Sequence, residues 1–166
     1  EWAQQALEDD SWSVRESAVA LLGEDTPIVL STTTRKVTSE KRSDSLTQVV
    51  SLLLRALADS QPSVRIAAMR SAVKVAQKTQ EQAVTDSIRQ SLRERASVGT
   101  AEEQLIAAAS LLRLGDGSQR DTLYKGLRSM ELAIRRRAVE EAVADPKLPA
   151  KLLLPLLSDG DLTVRF

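Results

Sequence analysis

The sequence predicts an all-α protein, a right-handed α-solenoid of about four antiparallel helix pairs. Three observations predict it. A short phrase recurs four times along the chain. The stretches between its copies carry apolar residues at helical spacing. The hydrophobic residues are almost all aliphatic, with only Trp2, Trp12, Tyr124 and Phe166 aromatic, a composition suited to closely packed helices. The phrase reads Leu7-Glu-Asp9-Asp-Ser-Trp12-Ser13-Val14-Arg15, then Leu57-Ala-Asp59-Ser-Gln-Pro62-Ser63-Val64-Arg65. It returns as Leu127-Arg-Ser129-Met-Glu131-Leu132-Ala133-Ile134-Arg135 and as Leu157-Ser-Asp159-Gly-Asp161-Leu162-Thr163-Val164-Arg165. Recurrence of this kind marks a stack of supersecondary units that cannot bury their apolar faces alone.

Each copy reads as the turn between two repeats plus the first turn of the next helix. After the first, Val14, Ser17, Ala18, Leu21 and Leu22 fall on one helical face. Ser13 and Glu16 form a candidate capping box at its start, and Gly23 a C-terminal stop. Ser45 and Gln48 open the partner helix through Val50, Leu53, Leu54 and Leu57. The second phrase starts a helix with Val64, Ala67, Ala68, Ser71, Ala72 and Val75 on one stripe, whose small residues let a neighbour approach closely. Thr79 and Gln82 then cap a helix carrying Val84, Ile88 and Leu92. The third repeat is degenerate: Thr100 and Glu103 cap a helix ending at Leu114-Gly115, and its partner spans about 119–129 with Leu123 and Leu127 inward. A fourth pair covers about 133–144 and 149–157, with Asp145-Pro146 as a turn signal and Pro155 bending the last helix. The opening residues 1–7 and the closing Val164-Arg165-Phe166 read as parts of helices, so the chain is expected to be a single domain, residues 1–166, cut from a longer solenoid.

Residues 26–44 interrupt the pattern as an insertion within the first repeat. Ile28-Val-Leu30 and residues 32–38 are rich in β-branched side chains, which makes the segment a loop or small hairpin. Arg35, Lys36, Lys41 and Arg42 give it a modest positive excess, and its hydroxyls suit phosphate. A solvated loop is the first reading and a binding loop the second.

Composition narrows the chemistry. Lys plus Arg equals Asp plus Glu at 23 each, so the net charge is zero, which weighs against a nucleic-acid or anionic-membrane partner. Cysteine and histidine are absent, which removes disulfides, thiolate metal sites, the usual general base and the commonest metal ligand. There is no Gly-rich phosphate loop and no nucleophile–base pair. The chain is therefore read as non-enzymatic, without cofactor or metal. No apolar run is long enough to span a bilayer. The compartment stays open, with the cytoplasm favoured.

The pattern Leu-x-Asp…Val-Arg-x-x-Ala, present at Leu7/Asp9/Val14/Arg15/Ala18 and Leu57/Asp59/Val64/Arg65/Ala68, resembles that of HEAT-repeat proteins. It is close to the short bacterial repeats also found in phycobilisome-lyase-type proteins. Ser129 replaces the aspartate, and Glu141 stands where Leu21 stands in the first repeat. The resemblance implies that the phrase arginines Arg15, Arg65, Arg135 and Arg165 pair with turn aspartates, Asp9, Asp59 and Asp159 being available, as a ladder holding repeats in register. It also implies that the second helices line a concave binding face. There Arg89, Arg93, Lys125 and Arg128 would form a basic strip for an acidic peptide or a phosphate backbone, tempered by Asp86, Glu94 and Asp121, with a charge-mixed solvent face as the first reading. Arg135-Arg136-Arg137 point in different directions and are neutralised by Glu140 and Glu141. Trp2 and Trp12 are read as an exposed anchor pair or as packing residues, Trp12 against a neighbouring repeat. The expected function is a protein-interaction scaffold for a partner protein or peptide. A HEAT-like nucleic-acid-binding module and a chromophore-lyase-type subunit are the alternatives, and contact through the solenoid ends is expected if those ends are cut.

Overall fold

The computed structural model describes residues 2–31 and 39–165, with the side chains of 25–31 and 39–43 outside the description. The protein is all-helical, with no strand among the described residues. Its helices are α1 (Trp2–Leu7), α2 (Trp12–Ser31), α3 (Ser39–Ala56), α4 (Pro62–Lys78) and α5 (Gln82–Val98). These are followed by α6 (Ala101–Arg113), α7 (Arg120–Gly126), α8 (Leu132–Ala142), α9 (Ala150–Leu153) and a 3₁₀ turn at Leu154–Ser158. Contacts divide the chain into two compact units, Glu1–Ser91 and Leu92–Phe166.

In the first unit α2 packs on α4, and α3 lies against both; α1 touches α2 and α3. The interior is aliphatic, with Val19, Leu22, Leu46, Leu53, Val64, Met69 and Val75 all buried. The predicted stripes of α3 and α4 are largely the buried ones, with Leu54 and Ala67 partly exposed. That of α2 is turned by one residue: Ala18, Val19, Leu22 and Gly23 face inward, while Val14 and Leu21 are 39% and 49% exposed. The reason lies in α4. A Cβ on Gly23 would stand 2.9 Å from Ser71 Cα and 2.8 Å from its Cβ, so the bare backbone of Gly23 is what lets the two helices meet. Gly23 is thus a contact residue, not a stop.

The expected hairpin is absent from the described parts of the insertion. Residues 26–31 continue α2, and 39–44 belong to α3; β-branched content there yields to the surrounding helix, since β-propensity is largely a matter of context. Arg35 and Lys36 lie outside the described residues, and the side chains of Lys41 and Arg42 do too. Pro27 sits inside α2 and has no N–H for the carbonyl of Gly23. Lys78 Nζ, from the end of α4, donates to that oxygen at 3.3 Å.

Three of the four expected capping boxes, at Ser13, Ser45 and Thr79, do not form. α2 starts at Trp12, with the Ser11 carbonyl accepting from Arg15 N–H at 3.2 Å, and Ser45 lies inside α3. Before α5, the Thr79 hydroxyl accepts from Glu81 N–H at 3.0 Å in a short turn. The box of α6 is complete: Thr100 Oγ1 accepts from Glu103 N–H at 3.3 Å, and Glu103 Oε2 from Thr100 N–H at 2.8 Å.

In the second unit α6 packs on α7 and α8, which touch each other. α6 ends where the Asp116 N–H bonds to Leu111 O at 2.8 Å and the Gly115 N–H to Leu112 O at 2.9 Å. That arrangement needs the left-handed backbone of Gly115, φ +80°. The core joins Leu105, Leu123, Leu127, Ala138, Leu152, Leu156 and Val164. At Leu154-Pro155 the last helix tightens from α to 3₁₀, where Pro155 has no N–H to donate.

Candidate functional site

The recurring phrase builds one device each time. Its aspartate closes the turn by accepting from the N–H two residues on: Asp9 from Ser11 at 2.8 Å, Asp59 from Gln61 at 2.8 Å and Asp159 from Asp161 at 2.9 Å. Ser129 does the same for Glu131 with its hydroxyl, at 3.2 Å. The arginine then reaches back over the turn. Arg15 Nη1 donates to the carbonyls of Asp9 and Asp10 at 2.8 and 3.0 Å, Arg65 Nη1 to those of Asp59 and Ser60 at 2.6 and 3.0 Å, and Arg135 Nη1 to those of Ser129 and Met130 at 2.9 and 3.0 Å. Arg165 Nε reaches the Asp159 carbonyl at 2.6 Å.

The rest of the guanidinium fork bridges to the following copy. Arg15 Nε and Nη2 donate to the Asp59 carboxylate at 2.8 and 3.0 Å. Arg135 Nε and Nη2 donate to Asp159 at 2.8 and 3.3 Å. Arg15 and Asp59 are each 13% exposed at the side chain, so the pair is shielded enough to fix geometry. The Arg15 hydrogen bond holds the Asp59 carboxyl below the usual carboxylate range, and Arg135 does so for Asp159. Asp9 carries the turn bond alone among the phrase aspartates.

A second set of turns, invisible in the phrase, follows the same rule. Asp116 accepts from Ser118 N–H at 2.9 Å and Asp145 from Lys147 N–H at 3.0 Å. Arg93 grips Asp116 at 2.7 Å and Arg120 grips Asp145 at 2.8 Å. The Asp145 side chain is fully buried. Burial pushes its pKa up, but the donors Tyr124 Oη (2.8 Å), Arg120 and Lys147 N–H outweigh that and hold it below its ordinary value. Asp116-Gly-Ser118 and Asp145-Pro-Lys147 carry the same signal, an aspartate two residues before an N–H outside a helix, but lack the Val-Arg pair of the phrase. Glu141, which breaks the apolar stripe of α8, is likewise accounted for: Arg113 Nη2 meets it at 2.8 Å.

The basic residues expected to bind a partner separate into classes. Arg89, in the first unit, bonds Asp86 at 2.9 Å, and Arg93, in the second, is held by Asp116. Lys125 and Arg128 are exposed, and neither has an ion-pair partner among the described residues. Arg136 and Arg137 are neutralised by Asp161 and by Glu102 and Glu140, respectively. Trp2 and Trp12 are each about half exposed, 50% and 48%, so Trp12 is not covered by the next turn.

Several grooves among the described residues offer room for a ligand, one of about 260 Å³ being walled by the paired Arg137, Glu102 and Glu140. A second, about 440 Å³, runs over α1 and α3 in the first unit. Gln4, Thr47, Gln48 and Ser51 line it, with Asp44 and Arg55 beside them and Leu52 as its apolar member. Arg55 also meets Glu8 at 3.2 Å. A third, about 300 Å³, lies in the second unit, where α7 hands over to α8 beside the start of α6. No group of metal-ligating side chains occurs among the described residues, nor does any helix among them have the length and apolar character to cross a membrane.

No protein-family model matches the chain, and no curated protein does. Among solved structures it is similar to the crystal structure of an engineered protein from the Northeast Structural Genomics Consortium. The TM-score is 0.56 at 16% identity over 99% of this chain and 74% of the other. At that identity the likeness concerns the fold alone.

Proposed function

We propose that the chain is a non-catalytic protein-interaction scaffold, an α-solenoid of HEAT-repeat kind, which binds a partner protein or peptide on its second helices. The observation that carries the reading is the groove over α1 and α3, the latter being the second helix of the first pair. Its lining is rich in carboxamides and hydroxyls, at Gln4, Gln48, Thr47 and Ser51. Such groups both donate and accept, and so can follow a peptide main chain without demanding a charge. Support for the stacking comes from Arg15–Asp59 and Arg135–Asp159, each of which ties one copy of the phrase to a later one.

The test is selection of displayed peptides on the chain, followed by amide chemical-shift mapping of an enriched peptide. Perturbations gathered on Gln4, Gln48 and Ser51, with binding lost in Gln48→Ala/Ser51→Arg, are expected. Failure to enrich any peptide, or perturbations confined to the outer side of α4 around Lys74, would overturn the proposal.

A further inference from the structure

The helices that open at the copies of the phrase carry one face in register. Val14, Ser17 and Leu21 of α2 correspond to Val64, Ala67 and Ser71 of α4 and to Ile134, Arg137 and Glu141 of α8. Within the first unit α2 covers the α4 copy: Val64 and Ser71 are buried, and Gly23 packs against Ser71. Within the second unit α6 covers the α8 copy, with Glu141 buried against Arg113 and Arg137 tied to Glu102. In α6 itself Gln104 reaches back to the Gly99 carbonyl at 3.0 Å as the phrase arginines do to their turns. There Glu103, Ile106 and Ser110 hold the same positions and are buried too. The α2 copy alone is open, with Val14, Ser17 and Leu21 all exposed.

What covers the face is repeated as well. The overlying α2 buries Ala18, Val19 and Leu22, and the overlying α6 buries Ala107, Ala108 and Leu111 at matching positions. Arg15, three residues before Ala18, extends its fork from the overlying helix to Asp59 at the foot of the covered one, at 2.8 and 3.0 Å. Asp9 stands at the foot of α2 as Asp59 does at the foot of α4. It closes its own turn on Ser11 N–H, and no arginine meets its carboxylate among the described residues. The open face and the unclaimed carboxylate belong to the same copy of the phrase.

We propose that this face of α2 docks a helix of a partner protein. The helix carries an arginine and, three, four and seven residues further on, an alanine, a second small or aliphatic residue and a leucine. Its arginine reaches Asp9 as Arg15 reaches Asp59, and the stripe behind it lies on Val14, Ser17 and Leu21. Charge complementarity and the covered copies in α4 and α8 both specify this occupant. A partner protein suits the face better than a second copy of this chain, because the chain's own stripes of this kind, at Ala18, Ala68, Ala107 and Ala138, are already buried. The inference makes no use of the α1/α3 groove.

The experiment uses the full chain and a fluorescein-labelled peptide with the sequence of residues 11–24, stapled along its outward side to hold it helical and read by anisotropy. Comparators are the same peptide with glutamine in place of its arginine, and one with lysine at the place of Ala18. Both should bind more weakly. Leu21→Glu should weaken the parent peptide by about tenfold or more, while its Tm stays close to the parent's because Leu21 stands half in water. Asp9→Asn keeps the oxygen that closes the turn. It should weaken the arginine peptide by about fivefold and the glutamine peptide by less than about twofold. Val143→Glu, at an exposed apolar residue of the second unit, should change binding by less than about twofold. Amide shifts should gather on Val14, Ser17 and Leu21. The inference is overturned if the peptide does not bind, if Leu21→Glu costs no more than Val143→Glu, or if Asp9→Asn weakens both peptides equally. It is also overturned if the shifts fall on Val64 and Ser71, which means the peptide has replaced α2, or if sedimentation shows the face pairing two copies of this chain. None of these results bears on the α1/α3 groove, whose own peptides and Gln48 variant test the scaffold reading separately.

Discussion

Replacing Gly23 with alanine tests the packing of α2 on α4 at its narrowest point. In a helix interior this change by itself stabilises, by about 1 kcal/mol. Here the added methyl would lie 2.7 Å from Ser71 Oγ, 2.8 Å from its Cβ and 2.9 Å from its Cα. Carbon atoms pack best at roughly 3.5–4.0 Å, so the shortfall against Cα approaches about 1 Å. A rotamer change on Ser71 relieves only the first contact; the other two require the helices to part, loosening Val19, Leu22, Ala68 and Ala72, all buried. Overpacking of this kind costs about 1–3 kcal/mol, and the rigid neighbour argues for the upper end. The net loss is then about 2 kcal/mol, or a fall of about 4–8 °C in Tm for a chain of this size. Thermal melts followed by circular dichroism measure it. Gly160→Ala serves as the control, since nothing lies within 4 Å of a methyl there, and its Tm should hold or rise slightly. Ser71→Gly should partly rescue Gly23→Ala, with a coupling of about 1 kcal/mol in the double-mutant cycle. An unchanged Tm in Gly23→Ala, or strict additivity with Ser71→Gly, would refute the close-approach argument.

Three further outcomes are expected. Asp59→Asn should lower the urea midpoint in the parent but have little further effect once Arg15 is alanine, because the carboxylate's main partner is then gone; full additivity would dissolve the pairing. Asp59, Asp116, Asp145 and Asp159 all have pKa values below the unfolded range. Their stabilisation is therefore complete above about pH 4 and lost as pH falls through the folded values. With no histidine in the chain, Tm should be flat from pH 5.5 to 7 and drop only in acid, and a marked slope within that window would contradict the assignment. Thr100→Ala should cost about 1 kcal/mol by removing one half of the capping box on α6, and an unaltered urea midpoint would count against that cap.

What the sequence made legible was what is decided locally. The cap at Thr100 and Glu103, the stop at Gly115 and the stripes of α3 and α4 each depend on residues a few positions apart. The register of α2 did not yield, because the face it buries is chosen by Ser71, a contact 48 positions away along the chain. Capping boxes at Ser13 and Ser45 matched the pattern, yet α2 begins at Trp12 and α3 runs through Ser45. A box motif states that a cap is affordable, not that a helix must start there. The partner of Arg93 was hidden for the same reason. Asp116, 23 residues on, engages it at 2.8 Å, whereas Lys125 and Arg128 have no ion-pair partner among the described residues.

The phrase arginines explain why one residue type holds its place through otherwise drifting copies. Arg15 and Arg135 each spend one nitrogen on two carbonyls of their own turn and two on a carboxylate from a later copy. A lysine has three donors on one atom and cannot reach both targets, so only the planar fork of arginine closes the turn and bridges onward together. The aspartate is freer to vary, since its turn bond needs only an oxygen, and Ser129 supplies one. Ser129 has no carboxylate to offer, and at that same turn Lys125 and Arg128 have no ion-pair partner among the described residues. The turn tolerates the exchange because the bond that closes it asks only for an acceptor.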